Sequence, residues 1–94
     1  MLFAFHCFDK PGALEVRQRT RAEHLAYLDR FKAQIVLAGP LLTDDGSAPC
    51  GSLLVLDLTD RAAADSFAQG DPYARAGLFE RVEIRPFRKT LPAG

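Results

Sequence analysis

Residues Leu2 to Phe8 put Leu2, Ala4, His6 and Phe8 on one face of an extended chain and Phe3, Phe5 and Cys7 on the other, because successive side chains of a strand alternate. The segment is short, aromatic and followed by the turn residues Asp9-Lys10-Pro11-Gly12, which favours a strand over a helix. With apolar residues on both faces, it reads as a central strand covered on both sides. That requirement constrains the fold more than any other feature of the chain.

The remaining segments supply one cover. Ile35 to Leu42 is a second apolar run, interrupted by Gly39-Pro40. Proline gives no ladder hydrogen bond, so this is an edge strand or one with a bend. Asp44-Asp45-Gly46-Ser47 lies within the turn from Thr43 to Pro49 and makes a hairpin to a third strand, Leu53 to Leu58, again apolar on both faces except for Asp57. Thr59 and Asp60 are N-cap candidates for a helix whose interior is Ala62, Ala63, Ala64, Phe67 and Ala68, with Phe67 as the main anchor. Gly70 ends it, and Pro72 disfavours helical geometry at Asp71, so 71–77 reads as a loop. Phe79 to Phe87 is the last strand, and 91–94 a C-terminal tail after a single domain over 1–90.

The order is β-α-β-β-α-β, which points to an α+β, ferredoxin-like fold: an antiparallel four-stranded sheet with two helices on one face. The second face of the sheet then needs its own cover, and a second copy of the same sheet is the simplest one, giving a homodimer.

The first helix, from Leu14 to about Ala33, carries an anomaly. Leu14, Leu25, Leu28 and Phe31 form its apolar side, and Glu15, Arg19, Glu23, Ala26 and Arg30 the polar one. Arg17, Arg21 and His24 nevertheless share the stripe of Leu28. Cations belong off that stripe unless it overhangs solvent or lines a polar pocket. The topology also brings Asp71, at the exit of the second helix, to the sheet end where the first helix begins. A His24–Asp71 contact is therefore geometrically open, if the loop folds back over the first helix. In such a pair the carboxylate fixes the imidazole tautomer and leaves the second nitrogen to give or take a proton.

Composition narrows the function classes. Twelve basic residues balance twelve acidic ones, so no overall field draws the chain to nucleic acid or to an anionic membrane. The N-terminal apolar run is too short to span a bilayer and lacks a signal-peptide pattern, so a cytoplasmic location is expected. Cys7 and Cys50 are too few and too far apart for a disulfide framework, and read as reduced thiols. Two histidines and two cysteines give no short-spaced ligand pattern, so no metal is expected. No phosphate loop, dinucleotide fingerprint or serine elbow is present, so no cofactor is expected either.

Residue type alone leaves plainer readings open. A histidine on an apolar stripe is also what a hydrogen-bonded core residue looks like. Arg17 and Arg21 can snorkel or pair with Asp9 or Glu83 instead of holding an anion. Tyr73 can be pocket wall or a loop anchor, and Gly39-Pro40 can be backbone geometry first and pocket lining second.

Four segments together carry a resemblance: Arg21-Ala22-Glu23-His24-Leu25-Ala26-Tyr27-Leu28, Ala38-Gly39-Pro40-Leu41, Asp71-Pro72-Tyr73 with Ala76-Gly77-Leu78, and Val82-Glu83-Ile84-Arg85-Pro86-Phe87. In order and spacing they resemble the YciI-related (YCII) family across nearly the whole chain. The resemblance implies a ferredoxin-like fold dimerising into an α/β barrel, and an active-site His-Asp pair that falls on His24 and Asp71. Tyr73 stands where the family usually has Phe. One characterised branch is a dehydrochlorinase acting on a chlorinated hydroxyhydroquinone. The fold is shared with muconolactone isomerase-like proteins, and some relatives sit beside sigma-factor-like regulators.

The expectation is a small cofactor-independent enzyme, a lyase or isomerase, acting on a small cyclic or aromatic acid. His24 and Asp71 would be catalytic, and Arg17, Arg21, Gly39, Pro40 and Tyr73 would bind the substrate. The alternatives are a non-catalytic ligand-binding or regulatory dimer using the same pocket, and a purely structural interaction domain with His24 sealed in the core.

Overall fold

The structure, a computed structural model, describes residues 1–94. The chain runs β1 (Leu2–Asp9), α1 (Leu14–Asp29), β2 (Ile35–Leu42), β3 (Pro49–Asp57), α2 (Arg61–Gly70), α3 (Pro72–Arg75) and β4 (Phe79–Phe87). The four strands form one antiparallel sheet in the order β2-β3-β1-β4. This is the expected ferredoxin-like α+β topology, with β1 central and the proline-bearing β2 at an edge.

Register explains the core. Phe3 pairs with Leu56, Phe5 with Leu54 and Cys7 with Ser52, while Phe5 and Cys7 face Ile84 and Val82 on the other side. Directly paired residues project to the same face, so these side chains form one layer beneath the helices. Phe3, Phe5, Leu54 and Leu56 are almost wholly buried, each contributing about 1.5–3 kcal/mol relative to exposure. Phe67 of α2 anchors the helices to this layer, edge-on to Phe5 at 5.2 Å and to Phe31 at 4.9 Å. On the opposite face Leu37, Leu53 and Phe87 remain 49%, 38% and 45% exposed.

Three local expectations change. Helix α1 stops at Asp29, short of Ala33, because its end tightens: the N–H groups of Arg30, Phe31 and Lys32 donate to carbonyls three residues back, a common resolution of unpaired helix ends. Strand β3 begins at Pro49, earlier than Leu53, since pairing with β2 carries through Gly51 and Ser52, residues with little strand signal of their own. The segment 71–77 holds a short helix as well as a loop. Pro72 breaks α2 and then occupies the first turn of α3, where its missing N–H costs nothing.

Gly70 acts through its size. Its backbone is not left-handed, but a Cβ placed there would lie 2.5 Å from the Tyr27 hydroxyl. That hydroxyl donates to the Phe67 carbonyl at 2.9 Å. The close approach clamps the last turn of α2 onto α1, one residue before Asp71.

Candidate active site

Four residues of α1 are buried: Arg17, Thr20, His24 and Leu28. Spacings of three and four put them on one face, so the inward stripe of this helix is mostly polar. Leu14 and Leu25, expected among the apolar residues, are more than a third exposed.

His24 and Asp71 meet. His24 Nδ1 lies 2.8 Å from Asp71 Oδ1, with both side chains buried. The same oxygen accepts the Tyr73 N–H at 2.9 Å, so Asp71 caps α3 while holding the imidazole. An ionised carboxylate can only accept, which assigns the proton to Nδ1 and the free lone pair to Nε2. Every fully buried side-chain nitrogen and oxygen in the molecule has a hydrogen-bond partner. Nε2 has no partner within the chain, so it is open to solvent, and His24 lines a cavity of about 310 Å³ between α1 and the β2–β3 edge. The imidazole is thus buried at 7% exposure but borders the cavity instead of lying wholly inside the core.

Tyr73 stacks on the imidazole, ring centroids 3.9 Å apart and planes inclined by 16°. The Arg17 guanidinium carbon lies 4.6 Å from the centre of the same ring. Arg17 and His24 are separated by about two turns of α1, roughly 10 Å of rise, and the tyrosine ring bridges that gap. Burial raises the Tyr73 hydroxyl above its usual pKa, against the pull of Arg17 and Arg21.

Arg17 is committed within the chain. Its Nε and one Nη donate to the two oxygens of Asp9 at 2.7 and 2.8 Å, and that Nη also donates to Ser52 Oγ at 2.9 Å. Burial works against its charge, but the Asp9 hydrogen bonds and charge outweigh this and hold the guanidinium more firmly protonated. The plainer of the two sequence readings therefore describes this arginine: it pairs with Asp9. Arg21 also lines the cavity and enters no ion pair.

Gly39 and Pro40 border the cavity from β2, together with Ala38. All seven residues singled out from sequence thus converge on one place. Asp9 is the partner the sequence reading offers Arg17, whereas Ser52 is a participant that reading misses. Ser52 had a readable signal, because it is polar at the inward parity of Leu54 and Leu56. His6 lies elsewhere, stacked on Phe8 with ring centroids 3.8 Å apart, on the strand face opposite Phe5 and Cys7. Burial first, and then the charge of Asp71, push the Cys7 thiol up to about 12, which leaves it protonated and a poor nucleophile at neutral pH. No three His, Cys, Asp or Glu side chains converge as a metal site needs, and no helix is long and apolar enough to cross a membrane.

Comparison with known proteins identifies the family and agrees with the fold. The family model described as YCII-related domain matches residues 1–88. Protein YciI of Escherichia coli O6:H1 is 33% identical over 98 residues, covering 97% of this chain and all of that protein. Among solved structures, 5-chloro-2-hydroxyhydroquinone dehydrochlorinase (TftG) from Burkholderia phenoliruptrix AC1100, in complex with 2,5-dihydroxybenzoquinone, superposes with a TM-score of 0.87 at 36% identity over 94% of each chain. SnoaB, a cofactor-independent oxygenase from Streptomyces nogalater, shares the fold at 21% identity, with a TM-score of 0.62 over 98% of this chain and 97% of that one.

Proposed function

The chain belongs to the YCII-related family, and from that premise we propose that it is a small enzyme, a lyase or isomerase, using His24 and Asp71 for acid–base chemistry on a small ring-bearing acid. One observation carries this reading: a carboxylate holds Nδ1 at 2.8 Å, leaving Nε2 unpaired, in an imidazole that lines a cavity sized for a single substituted ring. Nε2 takes a proton from the substrate, and Asp71 stabilises the imidazolium that forms. The freed electron pair then expels a leaving group from the neighbouring carbon, as in a lyase. Alternatively the proton returns to a different atom, as in an isomerase. Tyr73 and Pro40 form walls against the ring. Both routes need only groups the chain itself provides. The dehydrochlorinase relative supports the first route by its activity and its bound dihydroxyquinone.

The working form we propose is a homodimer. The uncovered sheet face, with Leu37, Leu53 and Phe87 exposed, supports it, and a second copy of that face is self-complementary under two-fold symmetry.

The test is turnover of a panel containing 5-chloro-2-hydroxyhydroquinone, hydroxylated quinones and unsaturated lactones, followed by chloride release and absorbance. The wild type should convert at least one member faster than buffer, and His24→Ala should lose about 10²–10⁴ of that rate. Conversion no faster than buffer, or a rate unchanged in His24→Ala, would sink the proposal.

A further inference from the structure

The charges around the cavity do not cancel evenly. Arg17 is neutralised by Asp9, bonded at 2.7 and 2.8 Å. Asp71 lies behind the imidazole, bonded to Nδ1 and to the Tyr73 N–H. No carboxylate lines the cavity itself. Arg21, one helical turn before His24, lines the cavity with no ion-pair partner and no hydrogen bond from its side chain. Cys7 and Tyr27 are the other titratable groups near Asp71, and burial keeps both in their neutral, protonated forms. The Tyr73 hydroxyl, near both arginines, is also neutral.

Arg21 is exposed, so its charge rests in solvent until an anion reaches it. Arg17 is already committed to Asp9 and Ser52. The cavity therefore offers a bound substrate one free cation, and a second acid group finds no further partner there.

We propose that Arg21 is the counter-ion for one acid oxygen of the substrate bound in this cavity. The class is a phenol, enol or monocarboxylic acid; a second charge, as in a phosphate ester or dicarboxylate, gains nothing. This rests on the acid–base reading of His24. Residues three apart on a helix are neighbours, about 5–6 Å between Cβ atoms. The anionic oxygen therefore lies within a few bonds of the atom that exchanges its proton with Nε2.

The inference is tested by NMR titration of the full chain with benzoate, benzamide and phthalate, following the His24 ring and Arg21 side-chain signals. Benzoate should bind about tenfold or more tighter than its neutral isostere benzamide, the size of effect a charge-assisted contact gives. Phthalate should bind no tighter than benzoate. In Arg21→Met, an exposed apolar replacement of similar length, the preference for benzoate over benzamide should vanish while benzamide still binds. Equal binding of benzoate and benzamide, a preference that survives Arg21→Met, or tighter binding of phthalate would overturn the assignment and leave the His24 cavity reading standing. If none of the three moves the His24 signals, the assignment and the proposed cavity fail together.

Discussion

Asp71 serves two roles through one oxygen, as cap of α3 and as partner of His24. Asp71→Asn separates them. An amide oxygen still accepts the Tyr73 N–H, so the fold should persist, but the charge that stabilises an imidazolium is gone. Activity should fall nearly as far as in His24→Ala, with an unchanged circular dichroism spectrum. Wild-type-like turnover in Asp71→Asn would mean that the carboxylate only positions the ring. The Asp9–Arg17 pair makes the opposite kind of prediction. Both side chains are less than a tenth exposed, and removing one partner of a buried pair leaves an uncompensated charge. Asp9→Asn should therefore cost about 3–5 kcal/mol in denaturant unfolding, against a total of roughly 5–15 kcal/mol for a domain.

At the scale of elements, the site depends on how α2 and α3 are delivered to α1. Tyr27 bonds the Phe67 carbonyl across the gap that Gly70 leaves open. Gly70→Ala places a methyl group against the Tyr27 hydroxyl, and overpacking of this kind costs about 1–3 kcal/mol. Because Asp71 is the next residue, the variant should lose activity as well as stability. The double variant Gly70→Ala with Tyr27→Phe should recover part of both, measured by thermal unfolding and turnover. The α1 stripe was visible in the sequence as Arg17 and His24 on the line of Leu28, but Arg21, read on the same line, is exposed at its edge and Thr20 is buried instead. The short helix α3 was not, because Pro72 signals the break in α2 as strongly as the start of α3.

For the whole molecule, one sheet face packs under the helices and the other leaves Leu37, Leu53 and Phe87 exposed. Leu53→Lys sets a like charge against its symmetry mate if two such faces meet. Light scattering should then show a wild-type mass twice that of the chain and a variant mass of a single chain. A monomeric wild type at micromolar concentration would mean that the face has another cover.

Hydrophobic alternation, the position of Pro40, the Asp-Gly turn and the alanine-rich second helix are local features, and they determined the sheet and its two main helices by themselves. Local pattern also exposed the misplaced cations of α1, since periodicity is a property of a single segment. Which partner each cation takes was beyond it. Arg17 had Asp9 and Glu83 within topological reach, and His24 had Asp71 only if a loop folded back. Those choices depend on distances of 2.7–2.8 Å between side chains up to 47 residues apart. Such distances are set only when the Tyr27–Gly70 contact, the α3 cap and the β1–β3 register are satisfied together. The tertiary structure thus left Arg21 without a counter-ion and Nε2 unpaired in an imidazole that lines the cavity, because packing distributes charge partners and periodicity only places residues on faces.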